Sequence, residues 1–174
     1  MPVYLYAAYT NGLTVDHRMA QLLQIFEPIA HMEAQSGALT LSHPTLITYS
    51  NVCPRCGKTL TRRVKNKGLH FEDELRAVMK KYGSVIFSGD TKSRILKKAV
   101  ASRNRIAHVV TAKKERRKGF TAGQCGFYIH KFTLLYRYIV LCNIGIDDNQ
   151  LTSFLHDSVT RLNNHYPQLR ITKT

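Results

Sequence analysis

The sequence predicts an all-α protein, a bundle of four to five helices that carries a small β-hairpin insertion. Apolar residues recur with the spacing of one helix face through most of the chain. The stretch 40–68 differs, because two short strand-like runs there flank a pair of cysteines. The chain has 174 residues, 44% of them hydrophobic, which is enough for the core of one domain. We therefore predict a single domain over residues 1–174, with the insertion at residues 40–68.

The first predicted helix begins at Thr14 or Asp16, either of which can cap it. Pro28 is expected to kink this helix, since proline has no N–H to donate to the preceding turn. We expect the helix to end at Ser36-Gly37. Its apolar residues fall on one face, and they are Met19, Leu22, Leu23, Ile25, Phe26, Ile29 and Met32.

The predicted hairpin pairs the runs Thr45–Tyr49 and Thr59–Val64 around the segment Cys53-Pro54-Arg55-Cys56-Gly57-Lys58. This segment has the form of a zinc knuckle, a tight turn that directs two thiolates at one metal ion. Cys53 and Cys56 are therefore predicted ligands of a structural zinc.

Zinc usually takes four ligands, and one CxxC pair supplies two of them. The candidates for the others are His43, His70, Cys125, His130 and Cys142. Cys142 falls within an apolar pattern, so we expect it to be a buried thiol. Two alternatives stay open for the cysteine pair: a dithiol redox pair, and two unliganded cysteines in a hairpin.

Helical spacing resumes after the hairpin and defines the rest of the bundle. Asp90 is expected to cap a strongly basic helix that runs to about Thr111. Pro167 is expected to end the ordered pattern. The other predicted segments are a helix at Phe71–Tyr82, a polar loop at Lys113–Gly126, a central apolar helix at Phe127–Cys142, and a last helix from Asp147 or Asp148 to about Asn163.

The charge of the chain points to a polyanionic partner. The formal net charge is +15, and the stretch 92–118 holds 11 Lys and Arg residues against the single acid Glu115. We predict that RNA contacts the basic side chains of this stretch; solubility and a membrane surface are the alternatives. The predicted RNA-binding residues are Arg105, Lys113, Lys114, Arg116, Arg117 and Lys118.

The sequence also favours a cytoplasmic protein without a membrane segment. No apolar run approaches the roughly 18 residues of a membrane span, and the start Met1–Tyr6 lacks the basic region of a signal peptide. Four cysteines without an export signal are typical of a reducing compartment.

Arg103 lies on the apolar stripe of the basic helix, together with Leu96, Val100 and Ala107. An inward guanidinium is costly unless it is paired or faces a cleft that needs it. His108 can serve as a general acid or base, and Arg103 can hold a phosphate. These two groups suit metal-independent RNA cleavage by the 2′-OH. An ordinary Arg–His pair on a wet helix face is the alternative.

Asn104 precedes His108 by four residues, so the two side chains share a helix face. Asn104 is therefore predicted to orient the imidazole or to bind a phosphate oxygen. One chain supplies few catalytic groups. A symmetric dimer would bring two arginines and two histidines to one shared cleft.

The segment Arg103-Asn104-Arg105-Ile106-Ala107-His108, between the helices predicted before and after it, resembles the Arg-polar-x3-His motif of the HEPN superfamily. Within that superfamily, it is similar to the ApeA-like domains of antiphage proteins. The resemblance covers about residues 70–160. It implies an all-α fold, a homodimer, and an endoribonuclease without a catalytic metal in antiphage defence or a toxin system.

The resemblance also assigns roles and leaves an alternative. Arg103 and His108 take the catalytic positions, and Asn104 takes the polar position beside the arginine. A regulatory or sensor protein is a further expected partner. Some HEPN domains are non-catalytic RNA-binding or scaffold modules, which is the alternative function.

Overall fold

The computed structural model describes residues 14–42, 46–54, 56–65, 69–107 and 118–172, and these are mostly helical. The mostly helical content agrees with the predicted all-α class. In chain order the helices are α1 Val15–Gln24, α2 Phe26–Gln35, α3 Phe71–Tyr82, α4 Lys92–Ala107, α5 Ala122–Asn143 and α6 Asp148–His165, followed by a 3-10 turn at Pro167–Leu169. Two strands, β1 Leu46–Val52 and β2 Thr59–Lys65, lie between α2 and α3.

The first predicted helix is two helices, which corrects the expectation of one kinked helix. They meet at Ile25, whose N–H donates to Leu22 O at 3.3 Å, one residue short of the α-helical partner. Pro28 has no N–H for the carbonyl of Gln24, so the helical ladder is interrupted here. Thr14 is the cap, because its side chain accepts from the N–H of His17 at 3.4 Å.

The two strands pair antiparallel, from Leu46 opposite Lys65 to Val52 opposite Thr59. The turn between them is closed by two backbone bonds of 2.9 Å, Cys53 N–H to Lys58 O and Gly57 N–H to Cys53 O. Gly57 has φ +69°, a left-handed conformation that glycine adopts without strain. The strands contact each other far more than they contact any described helix.

The central helix is α5, as its apolar pattern predicts, although it begins at Ala122 and not at Phe127. Thr121 caps it by accepting from Gln124 N–H at 3.3 Å. Phe132 on α5 packs between Phe26 and Phe87, with ring centres 5.7 and 5.4 Å away. The core therefore lies where α5 meets α1, α2 and the segment after α3.

Asp90 does not cap the basic helix, which is a correction. Its carboxylate is fully buried, accepts from Lys131 Nζ, and receives Arg170 Nε at 3.1 Å. The first turn of α4 instead begins at Thr91, whose carbonyl accepts from the N–H groups of Arg94 and Ile95. Asp90 turns inward because two cations, one of them fully buried, need an anion there.

The ordered chain does not stop at Pro167, which is a third correction. After the 3-10 turn, Ile171 returns to the core, and its N–H donates to the Tyr128 hydroxyl at 2.9 Å. Its carbonyl accepts from Thr91 N–H at 2.6 Å. The C-terminal segment therefore ties the start of α4 to α5.

Candidate functional site

Arg103 lies where α2, α3 and α4 meet. Its guanidinium carbon is 4.6 Å from the ring centre of Phe71, and Nη2 donates to Glu27 Oε2 at 2.8 Å. The side chain is 23% exposed, and its Nε is buried without a hydrogen-bond partner among the described residues. The ion pair with Glu27 and the contact with the Phe71 ring thus stabilise an arginine on the apolar stripe.

A second charged pair lies beside Arg103. Glu74 of α3 is 5% exposed, and its Oε1 is 3.0 Å from Nε2 of His31 on α2. Glu74 Oε2 is buried without a hydrogen-bond partner among the described residues. Burial raises the pKa of Glu74, Glu27 raises it further, and His31 and Arg103 act in the opposite direction. This acid therefore holds a proton more readily than an ordinary glutamate.

The four side chains form one cluster, which we call the junction site: Glu27, His31, Glu74 and Arg103. Two of them, Glu27 and His31, come from one face of α2 because they are four residues apart. The site combines a guanidinium that can hold an anion, an imidazole that can carry a proton, and a buried carboxyl that can orient it.

Sequence reasoning missed His31 and Glu74. Glu74 could have been found by the test that singled out Arg103. It lies at helical spacing between Phe71 and Val78, both buried, so its carboxylate is directed at the core. A carboxylate at such a position needs a partner.

The remaining predicted catalytic residues, Asn104 and His108, lie near or beyond the end of the described part of α4. Asn104 lies on α4 with a partly exposed side chain. His108 directly follows the last described residue of α4 and lies outside the described residues. Arg105, predicted to bind RNA, is mostly buried and forms an ion pair with Asp16 of α1.

Most of the predicted basic loop also lies outside the described residues: Lys113, Lys114, Arg116 and Arg117. Lys118 is described and exposed. Beyond it, Gly119 O accepts from Lys98 Nζ at 3.0 Å, and Phe120 N–H donates to Ser102 Oγ at 2.9 Å. These two hydrogen bonds hold the chain after the basic loop against α4, and one of them is made by Ser102, the residue before Arg103.

Cys53 and Cys56 lie in the turn between the strands, the first partly buried and the second exposed. In the described part of the chain, no group of three or more His, Cys, Asp or Glu side chains is arranged to hold a metal ion. Of the other candidate ligands, His43 lies outside the described residues and His130 is exposed on α5. His70 directly precedes α3, and its N–H donates to Asp73 Oδ2 at 3.2 Å.

The two cysteines of α5 differ from each other. Cys125 is buried, and its thiol donates to Asp16 Oδ1 at 3.4 Å. Burial, followed by the Asp16 hydrogen bond, raises the pKa of Cys125 to about 12, so the thiol stays protonated. Cys142, expected to be a buried thiol, is only partly buried. It lies near the end of the helix, where the core no longer covers it.

No family model, curated protein or solved structure matches this chain. None of the described helices has the length and apolar character needed to cross a lipid bilayer.

Proposed function

We propose that the protein is a metal-independent endoribonuclease of HEPN type that acts as a homodimer in the cytoplasm, in antiphage defence or a toxin system. The observation that carries the proposal is the position of Arg103. Its guanidinium is held over Phe71 and forms an ion pair with Glu27. A preorganised guanidinium fork is the group that best binds a phosphate in two places.

The proposed reaction needs three functions. Arg103 neutralises charge on the phosphate as the 2′-oxygen attacks phosphorus. His108 transfers a proton as general acid or base, and Asn104 orients it or binds a phosphate oxygen. The resemblance supports these roles. In the homodimer, each chain contributes its own set of groups to one cleft.

The phosphate must displace the Glu27 carboxylate from Arg103 for this reaction to occur. The Arg103–Glu27 pair is half open to solvent, because Glu27 is 44% exposed. Exposed ion pairs contribute only about 0–1 kcal/mol, so a phosphodiester with two negative oxygens in reach can displace the carboxylate. We propose that Glu27 holds the guanidinium in place until RNA binds.

We further propose roles for the hairpin and for the basic surface. The strands and their turn form an insertion in a HEPN-like domain over residues 1–174, and Cys53 and Cys56 hold a structural zinc with ligands from elsewhere. The basic loop, which includes Lys118, contacts RNA, and the net charge of +15 supports this role. A sensor or regulatory protein is a further proposed partner.

The decisive experiment is cleavage of a labelled RNA without added divalent metal. We expect wild-type cleavage and a loss of at least about 10²-fold in Arg103→Ala and His108→Ala. Lys97→Ala is the matched control, because Lys97 is an exposed cation on the same helix. Cleavage unchanged in both variants, with both folded, would exclude the assignment.

A non-catalytic RNA-binding or scaffold module is the second candidate. The observation that favours it is the engagement of Arg103 by Glu27 at 2.8 Å. This reading predicts RNA binding that weakens steeply with salt, and no strand scission under single-turnover conditions.

A further inference from the structure

We propose that His31 is a general acid–base group of the junction site, and that Glu74 is the residue that positions it. The proposal rests on the endoribonuclease function and adds a proton-transfer group from α2. The motif on α4 supplies neither of these two residues. His31 and Glu74 are held together by a 3.0 Å contact between Nε2 and Oε1.

The burial of the pair is the first support. The Glu74 side chain is 5% exposed and the His31 side chain is 52% exposed. A buried carboxyl with one oxygen lacking a partner is costly to retain. A carboxyl that binds a half-exposed imidazole is a recurring means of fixing a histidine for proton transfer. Glu74, which orients the imidazole, is thus buried, whereas the His31 ring is open to a substrate.

The hydrogen bond determines which nitrogen reacts. When Glu74 is ionised, Nε2 of His31 carries the proton and donates it, which leaves a lone pair on Nδ1. Among the described residues, Nδ1 has no hydrogen-bond partner. Nδ1 is therefore the nitrogen that can take a proton from a substrate hydroxyl.

Two further charges lie next to the pair. Glu27 lies one helical turn before His31 on α2, and Arg103 faces the pair from α4. Burial and Glu27 raise the pKa of Glu74, whereas His31 and Arg103 act to lower it. The guanidinium, the imidazole and the two carboxyls therefore lie at one site.

The proposed step is balanced. The 2′-oxygen forms a bond to the phosphorus held by Arg103 and gives its proton to His31 Nδ1. The bond from phosphorus to O5′ breaks, and O5′ takes a proton from water. The products are a 2′,3′-cyclic phosphate and a 5′-hydroxyl. No oxidant, reductant or metal takes part.

The test compares His31→Gln, Glu74→Gln and wild type in the pH dependence of RNA cleavage. We expect His31→Gln to lower kcat by about 10²-fold with KM nearly unchanged, and to abolish the acid limb of the profile. Glu74→Gln should lower kcat by a smaller factor, because the imidazole then lacks the carboxylate that orients it. A merely structural role of His31 would leave the acid limb in place.

Two controls make the outcome specific. His156→Gln changes an exposed histidine on α6 and should leave kcat and the profile unchanged. In His31→Ala, added imidazole should restore part of the lost rate, since it can replace the missing base. Thermal melting confirms that each variant is folded; glutamine at position 31 can still donate to Glu74.

The failures are distinguishable. Suppose wild type cleaves RNA and Arg103→Ala does not, while His31→Gln keeps the wild-type kcat and pH profile. The role of His31 is then wrong, and the endoribonuclease proposal stands. Wild type inert towards RNA at every pH would overturn both.

Discussion

Arg103 and Glu27 are 76 residues apart in the chain and 2.8 Å apart in the fold. The pair joins α4 to α2 at the rim of the core, with Phe71 of α3 beneath the guanidinium. Three helices thereby fix one cation at a partly open site. The surroundings of this arginine give rise to the first prediction.

Glu27→Gln is expected to strengthen RNA binding up to about fivefold, because the fork of Arg103 no longer has a competing carboxylate and the lost pair is worth at most about 1 kcal/mol. The measurement is the Kd for a 2′-deoxy analogue, which the proposed reaction cannot cleave. Glu72→Gln is the matched control: Glu72 is 39% exposed, pairs with Arg76 at 2.7 Å, and changes the net charge equally. An equal gain in affinity for the analogue in both variants would show a general effect of net charge and not the release of Arg103.

Lys131→Met is expected to destabilise the protein by about 3–5 kcal/mol, since Asp90 stays buried with one cation in place of two. Replacing both members, Asp90→Asn with Lys131→Met, should cost less than the single change, because no buried carboxylate then remains with too little compensating charge. Urea unfolding of the three proteins measures both effects. A single variant as stable as wild type would contradict the buried ion pair.

Glu33 should make the free energy of unfolding depend on pH in the acidic range. Burial acts to raise its pKa, but hydrogen bonds from Tyr82, Asn143 and Lys81 outweigh burial, and the pKa is lowered from 4.5. A lowered carboxyl pKa contributes stability that is present above 4.5 and is lost as pH falls through the folded-state value.

Glu33→Gln should therefore lose about 2 kcal/mol at pH 7 and show a smaller further loss below pH 4.5 than wild type. Glu74→Gln should show the opposite pH dependence. The pKa of Glu74 is raised, so the wild-type carboxyl contributes more to the free energy of unfolding as pH falls towards 4.5. Thermal unfolding between about pH 3.5 and about pH 7 compares the variants. Parallel curves for all three proteins would refute the assignment.

Zinc should co-purify with wild type and be lost from Cys53→Ser and Cys56→Ser, because the turn presents both thiolates. Cys142→Ser should keep the metal if Cys142 is not a ligand. Metal analysis by atomic absorption checks this. Wild type without zinc, from cells supplied with it, would leave the two cysteines unliganded.

Much of the helical pattern followed from the sequence. The helix Phe71–Tyr82 has the predicted bounds, and the inward position of Arg103 follows from spacing along α4. These features depend on residues within one or two turns of each other. Hydrophobic periodicity reports such local relationships directly.

The tertiary structure alone decided which charged groups meet. Asp90 seemed a helix cap, yet it pairs with Lys131 and Arg170, 41 and 80 residues away. His31 finds Glu74 across two helices. Spacing along the chain says which face a side chain occupies, but the partner on the opposing element depends on how the helices pack. A buried charge must be matched there, so these pairs appear only when the whole bundle is assembled.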